Sequence, residues 1–370
     1  MPQPSTPPST TPPSAAPPAA APLSVGLLGF GLAGAVFHAP LILSEPRLRL
    51  AAVASSRTDD IRRVAPGAVA VAAPEAILAD PAIDLVVVAT PNTSHAPLAR
   101  AALLAGKHVV IDKPMAATAR EADALIELAE RQGRVLTVFH NRRWDGDFLT
   151  ARACIGGGMD GGEDGGLGEL YHYEVHFDRF RPAIKPGWRE RPLPGSGVLF
   201  DLGAHLIDQA LTLFGPPRTV TADVGAQRRA AEVDDWFHLI LGYGRMRAIL
   251  HAGTVVCRPG PRIQIHGDRG SFLKHGLDGQ EAALRAGATP GGPGWGRDDP
   301  ALHGVLHMAD GSERVVETLA GDYPAFYRGV AAAILDGAPP PVTAHSARDV
   351  MLVLEACVRS AAERRTVALP

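Results

Sequence analysis

The feature that most constrains this chain is a set of three glycines at fixed spacing. Gly29, Gly31 and Gly34 form G-x-G-x-x-G, directly after the apolar run 23–28 and at the head of a helix-like segment that continues to Leu43. In that setting the first glycine permits a tight turn. The second lets the backbone approach a pyrophosphate, and the third allows close packing of helix on strand. The helix N-terminus attracts the phosphate charge. With 40 glycines in the chain the spacing alone is a weak signal, and the strand before it and the helix after it give it weight. Gly29, Phe30, Gly31 and Gly34 are the expected backbone contacts to a dinucleotide, the alternative being an ordinary glycine turn.

The segments that follow keep the same rhythm. Residues 49–54 read as a second strand, and 83–89 as a strongly apolar, β-branched strand of the kind buried on both faces. A helix is predicted over 97–105 with Gly106 at its end, a strand over 108–111, a helix over 121–131 closed by Gly133, and a strand over 135–139. Strands alternating with helices imply a doubly wound parallel sheet. An NAD(P)-binding Rossmann domain is therefore expected over residues 23–142. Residues 1–22 are Pro, Ala, Ser and Thr with almost nothing else and no charged side chain. They are expected to form a disordered, partly polyproline-II tail rather than a secretory signal.

Residues 143–370 differ. Strands are predicted over 171–181, 219–229, 234–243, 246–256 and 262–274, separated by turns such as Gly242-Tyr243-Gly244 and Gly267-Asp268-Arg269-Gly270. Short turns between neighbours imply a mainly antiparallel sheet. Helices are expected between Val198 and Phe214, over 324–335, and from Ser346 onward, where Val350, Val353, Leu354 and Cys357 fall at helical spacing with Ser346 and Asp349 as a capping pair. Residues 156–166 read as a flexible Gly/Asp insert. The fold class is thus α/β, with an N-terminal Rossmann sheet and a C-terminal α+β domain.

Charge and composition narrow the function. The formal net charge is −3 with a pI near 6.5, which excludes a strongly basic nucleic-acid surface. Three widely spaced cysteines, Cys154, Cys257 and Cys357, provide neither a disulfide framework nor zinc-ligand spacing, and point to a reducing compartment. No apolar run of about 18 residues is present to span a membrane, so a cytoplasmic protein is expected. His303 and His307 are spaced for metal binding on a helix, but Gly304 argues for strand or loop, and no metal site is expected. Lysine occurs only at 107, 113, 185 and 274, so a lysine needed for chemistry is easy to find.

Four segments carry candidate chemistry. After the second strand the chain reads Ser55-Ser56-Arg57, with no carboxylate before Asp59. NAD sites usually place an acid there for the ribose diol, whereas hydroxyls and a guanidinium suit a 2′-phosphate. NADP is favoured over NAD on that ground, unless Arg57 is simply solvated. Asp112-Lys113-Pro114 stands at a strand's carboxyl end, where the ligand crevice of such a sheet lies; a surface lysine is the alternative. Asp201 and His205 lie one turn apart on a helix, where a carboxylate could raise the basicity of a proton-accepting imidazole; a packed or exposed histidine is the alternative. Between them, His140-Asn141-Arg142-Arg143-Trp144-Asp145 offers many donors and acceptors beside one flat ring, as a polyol site does, or equally an inter-domain salt-bridge network.

Taken together and in this order, these segments resemble the glucose–fructose oxidoreductase/inositol dehydrogenase (Gfo/Idh/MocA) family. The family pattern is a glycine fingerprint, an E-K-P tripeptide and a D-x-x-x-H helix. Here the tripeptide begins with Asp112. The segments 36–41, 140–145, 177–182, 188–190 and 264–267 resemble its NADP-dependent scyllo-inositol 2-dehydrogenase branch. The resemblance implies an open-faced second sheet through which the protein forms a homo-oligomer. It implies Lys113, Asp201 and His205 as the catalytic set, with His205 accepting the alcohol proton and Asp201 orienting or tuning it. Lys113 would hydrogen-bond the reacting oxygen. Ser56, Arg57, Thr90, Pro91, Asn92, His95, Asp112 and Lys113 would join the glycines around the cofactor. Asn141, Arg142, Arg143 and Trp144 would contact substrate or cofactor, with Arg181 and Trp188 as further substrate residues. By strand alternation Arg179 and Arg181 share a face with Tyr171, Tyr173, Val175 and Phe177, and could equally mark a sheet edge or subunit contact. His38 is expected to be a helix-side packing or phosphate-side residue and not a catalyst. The expected partner is a small polyol or sugar, with no nucleic acid and no membrane. A keto- or anhydro-sugar reductase and a non-catalytic dinucleotide sensor are the competing functions.

Overall fold

The computed structural model describes residues 21–156, 166–185 and 187–369. The expected tail and the insert at 156–166 lie almost wholly outside them. The first sheet contains β1 (Leu23–Leu28), β2 (Leu48–Ala54), β3 (Val69–Val71), β4 (Leu85–Val88), β5 (His108–Asp112) and β6 (Leu136–Phe139). All pair in parallel, in the order β3-β2-β1-β4-β5-β6. Every residue of β1 and β4 is buried, as expected where helices cover both faces of a parallel sheet. The chain winds outward from β1 to β3, then returns to β4 on the other side of β1. The crevice between the carboxyl ends of β1 and β4 is therefore the switch point where such sheets bind ligands. The short edge strand β3 and the helices Thr58–Val64 and Pro74–Ala79 were not evident in the sequence pattern.

The second sheet has nine strands, β7 (Leu170–His176), β8 (Thr219–Gly225), β9 (Trp236–Tyr243), β10 (Met246–Gly253), β11 (Ile263–Gly267), β12 (Gly270–Lys274), β13 (Gly304–Met308), β14 (Glu313–Val316) and β15 (Val367–Ala368). Only β7 and β10 pair in parallel, and the other neighbours are antiparallel. The segment expected as one strand over 171–181 leaves the ladder after His176, and only an isolated bridge joins Phe180 to Val255. The run 262–274 is a hairpin, β11 and β12, because Gly267 to Gly270 turns the chain. On the inner face Tyr173, Val175, Phe237, Leu239, Leu250 and Phe272 are fully or almost fully buried. The opposite face carries His172, Glu174, His176, His238, Ile240, Ile249, His251 and His266, all partly exposed.

The helices Pro324–Leu335 and Ala344–Glu363 close the molecule. Tyr323, Phe326, Tyr327 and Val330 join the core of the first sheet. Ala347 belongs to that core and Val350, Val353, Leu354 and Cys357 to the other, so the last helix ties the two together. It begins two residues earlier than its sequence pattern indicates. Its cap is Thr343, whose hydroxyl accepts a hydrogen bond from the Ser346 N–H at 3.1 Å, and not the expected Ser346/Asp349 pair. Asp349 instead faces the Arg348 guanidinium at 3.1 Å. Among the described residues no helix is long and apolar enough to cross a membrane.

Candidate active site

The glycine turn forms because each glycine meets a different constraint. Gly29 has φ +94°, and a Cβ there would lie 2.6 Å from the Ala89 carbonyl oxygen at the end of β4. A Cβ on Gly34 would lie 2.2 Å from the Gly29 carbonyl oxygen, so the helix can pack on β1 only without one. A Cβ on Gly31 would meet nothing within 4 Å. Its backbone faces open space, as required where a pyrophosphate is to approach. These residues fit a dinucleotide. The Phe30 side chain is buried, so that residue can contribute only its backbone. At the carboxyl end of β2, Ser56 and Arg57 are exposed, and the Gly29 N–H donates to the Ala54 carbonyl at 3.0 Å. Ser56 and Arg57 thus lie two and three residues beyond the point where β2 meets the turn.

A cavity of about 190 Å³ opens beside this turn. Leu32, Ala33 and Phe37 line it from the turn and its helix, Asp112 and Lys113 from the end of β5, Asn141 and Arg142 from beyond β6, and Arg179, Arg181, Asp201 and His205 from the second domain. The Lys113 ammonium donates to Asp201 Oδ1 at 2.9 Å and to the Asp201 carbonyl at 2.6 Å. Lys113 thereby joins the two domains across the cavity. The five residues Leu199–Gly203 form a π-helical turn, followed by the α-helix Ala204–Phe214. That wider turn, common at functional sites, changes the spacing expected of a regular helix. Asp201 faces Lys113 and Arg189, the latter at 3.4 Å, and His205 stands apart with its Nδ1 buried and without a hydrogen-bond partner.

The electrostatics divide the two groups. Burial opposes ionisation of Asp201, but Lys113, Arg189 and Arg179 outweigh it and hold the carboxylate well below the usual range. For His205, burial and the charges of Lys113 and Arg142 act together and hold the imidazole well below its ordinary value of 6.5. The result is a neutral imidazole beside a fixed ammonium. Burial pushes Arg179 down to about 10, and its guanidinium lies over the Phe177 ring at 4.6 Å. Arg142 is buried between Asp145, at 3.1 Å, and Glu281, at 2.6 Å. A second cavity of about 380 Å³ shares Arg179, Arg181, Arg189 and Asp201 with the first and brings in Trp188 and Lys185.

Other expected site residues are committed elsewhere. Both ring nitrogens of His95 face backbone carbonyls, those of Pro114 and Thr90, each at 2.8 Å. His95 is fully buried and ties the ends of β4 and β5 together. Asn92 donates to the Gly195 carbonyl at 2.7 Å, bridging the domains. Thr90 and Pro91 lie beside the Gly29 turn, with the Thr90 hydroxyl accepting from Ser94 at 2.7 Å. Arg143 is paired with Asp208 at 2.6 Å. Trp144 packs edge-on against Phe326. Neither Arg143 nor Trp144 lines the cavity, because the turn Asn141–Trp144 directs successive side chains different ways. His38 packs, with its Nδ1 2.7 Å from the Tyr327 hydroxyl. Arg189, Glu281 and Arg285 do line the cavity and carried no signal in the sequence beyond their charge.

The comparisons with known proteins agree with this architecture. The family description "oxidoreductase family, NAD-binding Rossmann fold" of the Gfo/Idh/MocA group matches residues 23–140, and "oxidoreductase family, C-terminal alpha/beta domain" of the same group matches 163–369. The NADP(+) scyllo-inositol 2-dehydrogenase IolW of Bacillus subtilis is 45% identical over 340 residues, 91% of this chain and 93% of that protein. The oxidoreductase YdgJ of Escherichia coli is 45% identical over 340 residues, 91% of this chain and 96% of that protein. The solved structure of the yvaA oxidoreductase from Bacillus subtilis superposes with a TM-score of 0.90 at 44% identity, covering 95% of this chain and 99% of that one.

Proposed function

The chain belongs to the Gfo/Idh/MocA oxidoreductase family, and from that premise we propose that it is an NADP-dependent dehydrogenase. It interconverts a hydroxyl of a cyclic polyol or sugar with the ketone, scyllo-inositol and its inosose being the first candidates. The observation that carries this reading is the neutral His205 beside the Lys113 ammonium in one cavity at the glycine turn. Lys113, Asp201 and His205 form the catalytic set.

When bound, the dinucleotide supplies the acceptor or donor for a hydride at the carbinol carbon. In the oxidation the substrate hydroxyl lies between Lys113 and His205. His205 takes the hydroxyl proton as the C–H bonding pair leaves the carbon and the C=O bond forms. A depressed imidazole is a base already free of its proton at neutral pH. Lys113 donates to the reacting oxygen and stabilises the negative charge that builds on it. Asp201 positions Lys113 rather than His205, since its Oδ1 bonds the ammonium. Asn141, Arg142, Arg181 and Trp188 orient the remaining hydroxyls. In the reverse direction His205 returns the proton. Gly31 and its neighbours hold the pyrophosphate, and Ser56 and Arg57 take the 2′-phosphate. The protein works in the cytoplasm as a homo-oligomer joined through the outer face of the second sheet. Free thiols at Cys154, Cys257 and Cys357 and the half-buried Ile240 and Ile249 on that face support these readings.

The test is an NADP⁺ and NAD⁺ reduction screen over inositols and simple sugars. Turnover with a cyclic polyol and NADP⁺ is the expected result. No turnover on any member, with dinucleotide binding intact, would favour a sensor. Replacing Arg57 by Ala should weaken NADPH binding about ten-fold, the worth of a charge-assisted hydrogen bond, and leave NADH binding unchanged. A second reading rests on the cavity's charge. The cavity lining carries Lys113, Arg142, Arg179, Arg181, Arg189 and Arg285 against Asp112, Asp201 and Glu281, which favours a substrate bearing a carboxylate. Sugar acids in the same screen distinguish the two.

A further inference from the structure

The outer face of the nine-stranded sheet gathers imidazoles and carboxylates that the proposed reaction does not use. Strand register brings them together. Parallel pairing sets His251 of β10 opposite His176 of β7, and antiparallel pairing sets His238 of β9 opposite His251. Asp178 follows just past the end of β7. His176 Nδ1 lies 3.1 Å from Asp178 Oδ2, and His251 Nε2 lies 3.4 Å from Asp178 Oδ1. One ligand atom from each of the three residues lies within 4.8 Å of the others. A tetrahedral zinc site with bonds of about 2.0 Å has ligand-to-ligand edges of about 3.3 Å. The two Asp178 contacts have about that length, each to a different carboxylate oxygen, and the three ligand atoms, all within 4.8 Å of one another, need a closure of at most about 1.5 Å to share one ion.

The surroundings suit a cation. Glu174 Oε1 lies 2.7 Å from His176 Nε2, the arrangement that orients a ligating histidine, and it aims the other ring nitrogen at Asp178. The Gly253 N–H donates to Asp178 Oδ1 at 3.0 Å and orients that carboxylate. His251 Nδ1 is buried without a hydrogen-bond partner, and the ring packs against those of His176, Trp236 and His238. The guanidinium of Arg262, whose Nη1 donates to the His176 carbonyl, is paired with Asp147 at 3.0 Å, away from the imidazoles. Two carboxylates, Glu174 and Asp178, thus face the imidazoles of His176 and His251.

We propose that His176, Asp178 and His251 bind a divalent transition-metal ion, Zn²⁺ first, with Glu174 supporting His176 and water completing the shell. Nitrogen and carboxylate ligands at this spacing suit zinc or cobalt. The ion pins the chain where it leaves β7 for Arg179 and Arg181, which line the cavity. It is therefore a positioning site for that wall and takes no part in the hydride or proton steps.

The experiment uses full-length, tag-free protein stripped with chelator. It is titrated with Co²⁺, followed by ligand-field absorption, and with Zn²⁺, followed by calorimetry. One equivalent of each per chain is expected, with the intense visible band of tetrahedral cobalt. His251→Ala and Asp178→Asn, each checked by thermal melt for an intact fold, should weaken Zn²⁺ binding at least ten-fold. Glu174→Gln should weaken it about ten-fold through the lost support. His307→Ala, on β13 of the same sheet, should leave it unchanged. Absence of saturable binding, binding that survives both ligand variants, or binding lost in Cys257→Ser would each overturn the proposal.

Discussion

The Lys113 ammonium is held by both the carboxylate and the carbonyl of Asp201, at 2.9 and 2.6 Å. One residue of the Rossmann domain is thereby fixed against one residue of the second domain, at the wall of the cavity that also contains His205. The lysine's position, and its charge beside His205, depend on that clamp.

Breaking the clamp should separate charge from position. Lys113→Met is expected to reduce kcat/KM by about 10² to 10⁴, the range for losing an oriented electrostatic donor. It should also raise the His205 pKa toward 6.5, because Lys113 is among the groups that depress it. Asp201→Asn should cost less, since the carbonyl still holds the ammonium. Kinetics and histidine NMR titration check both. An unchanged His205 titration in Lys113→Met would mean the two groups are not coupled.

The glycines predict opposite outcomes for one substitution. Gly31→Ala points its methyl into open space, so the melting temperature should stay within a degree or two while dinucleotide binding falls at least ten-fold. Gly34→Ala drives a Cβ to 2.2 Å from the Gly29 carbonyl and should destabilise the fold by roughly 1–3 kcal/mol, as overpacking does. Thermal melts with fluorescence titration of NADPH distinguish the cases. Normal binding by Gly31→Ala would remove the pyrophosphate from that position.

His140 gives a pH dependence of stability. Burial, against the pull of Asp208, holds its pKa down at about 4, below the ordinary 6.5. The unfolded chain therefore binds a proton that the folded chain refuses between those values, and stability must fall as pH drops from 6.5 toward 4. The loss through this residue is roughly 3 kcal/mol at about 1.4 kcal/mol per unit. Urea melts of wild type and His140→Gln across that range should converge in acid relative to their gap at neutral pH. A constant gap would show that His140 does not titrate this way.

Much of the fold was legible because the first sheet is covered on both faces. The apolar runs at β1, β4 and β5 can only be central strands, and the glycine turn follows from backbone sterics. Lys113, Asp201 and His205 were legible for a different reason, each falling in a short family motif. What was hidden is what depends on partners. Arg143 and Trp144 look like site residues in the chain, yet Arg143 pairs with Asp208 and Trp144 packs on Phe326. His95 serves two backbone carbonyls, which no spacing reveals. Asp201, within the π-helical turn Leu199–Gly203, is engaged by Lys113 of the other domain, a partner that no spacing reveals. The strands β13 and β14 are only five and four residues long, too short to show a pattern of their own. His176 and His251 meet only through the register of β7 and β10.

The role of His205 is open to one direct measurement: NADP⁺ reduction with scyllo-inositol at neutral pH by wild type and His205→Ala, with NADPH affinity determined on the same samples. Wild type should turn over with saturation, and the variant should lose about 10² to 10⁴ in kcat, the contribution of a positioned general base, at unchanged NADPH affinity. A variant that turned over as fast as wild type would contradict the assignment of His205 as the base.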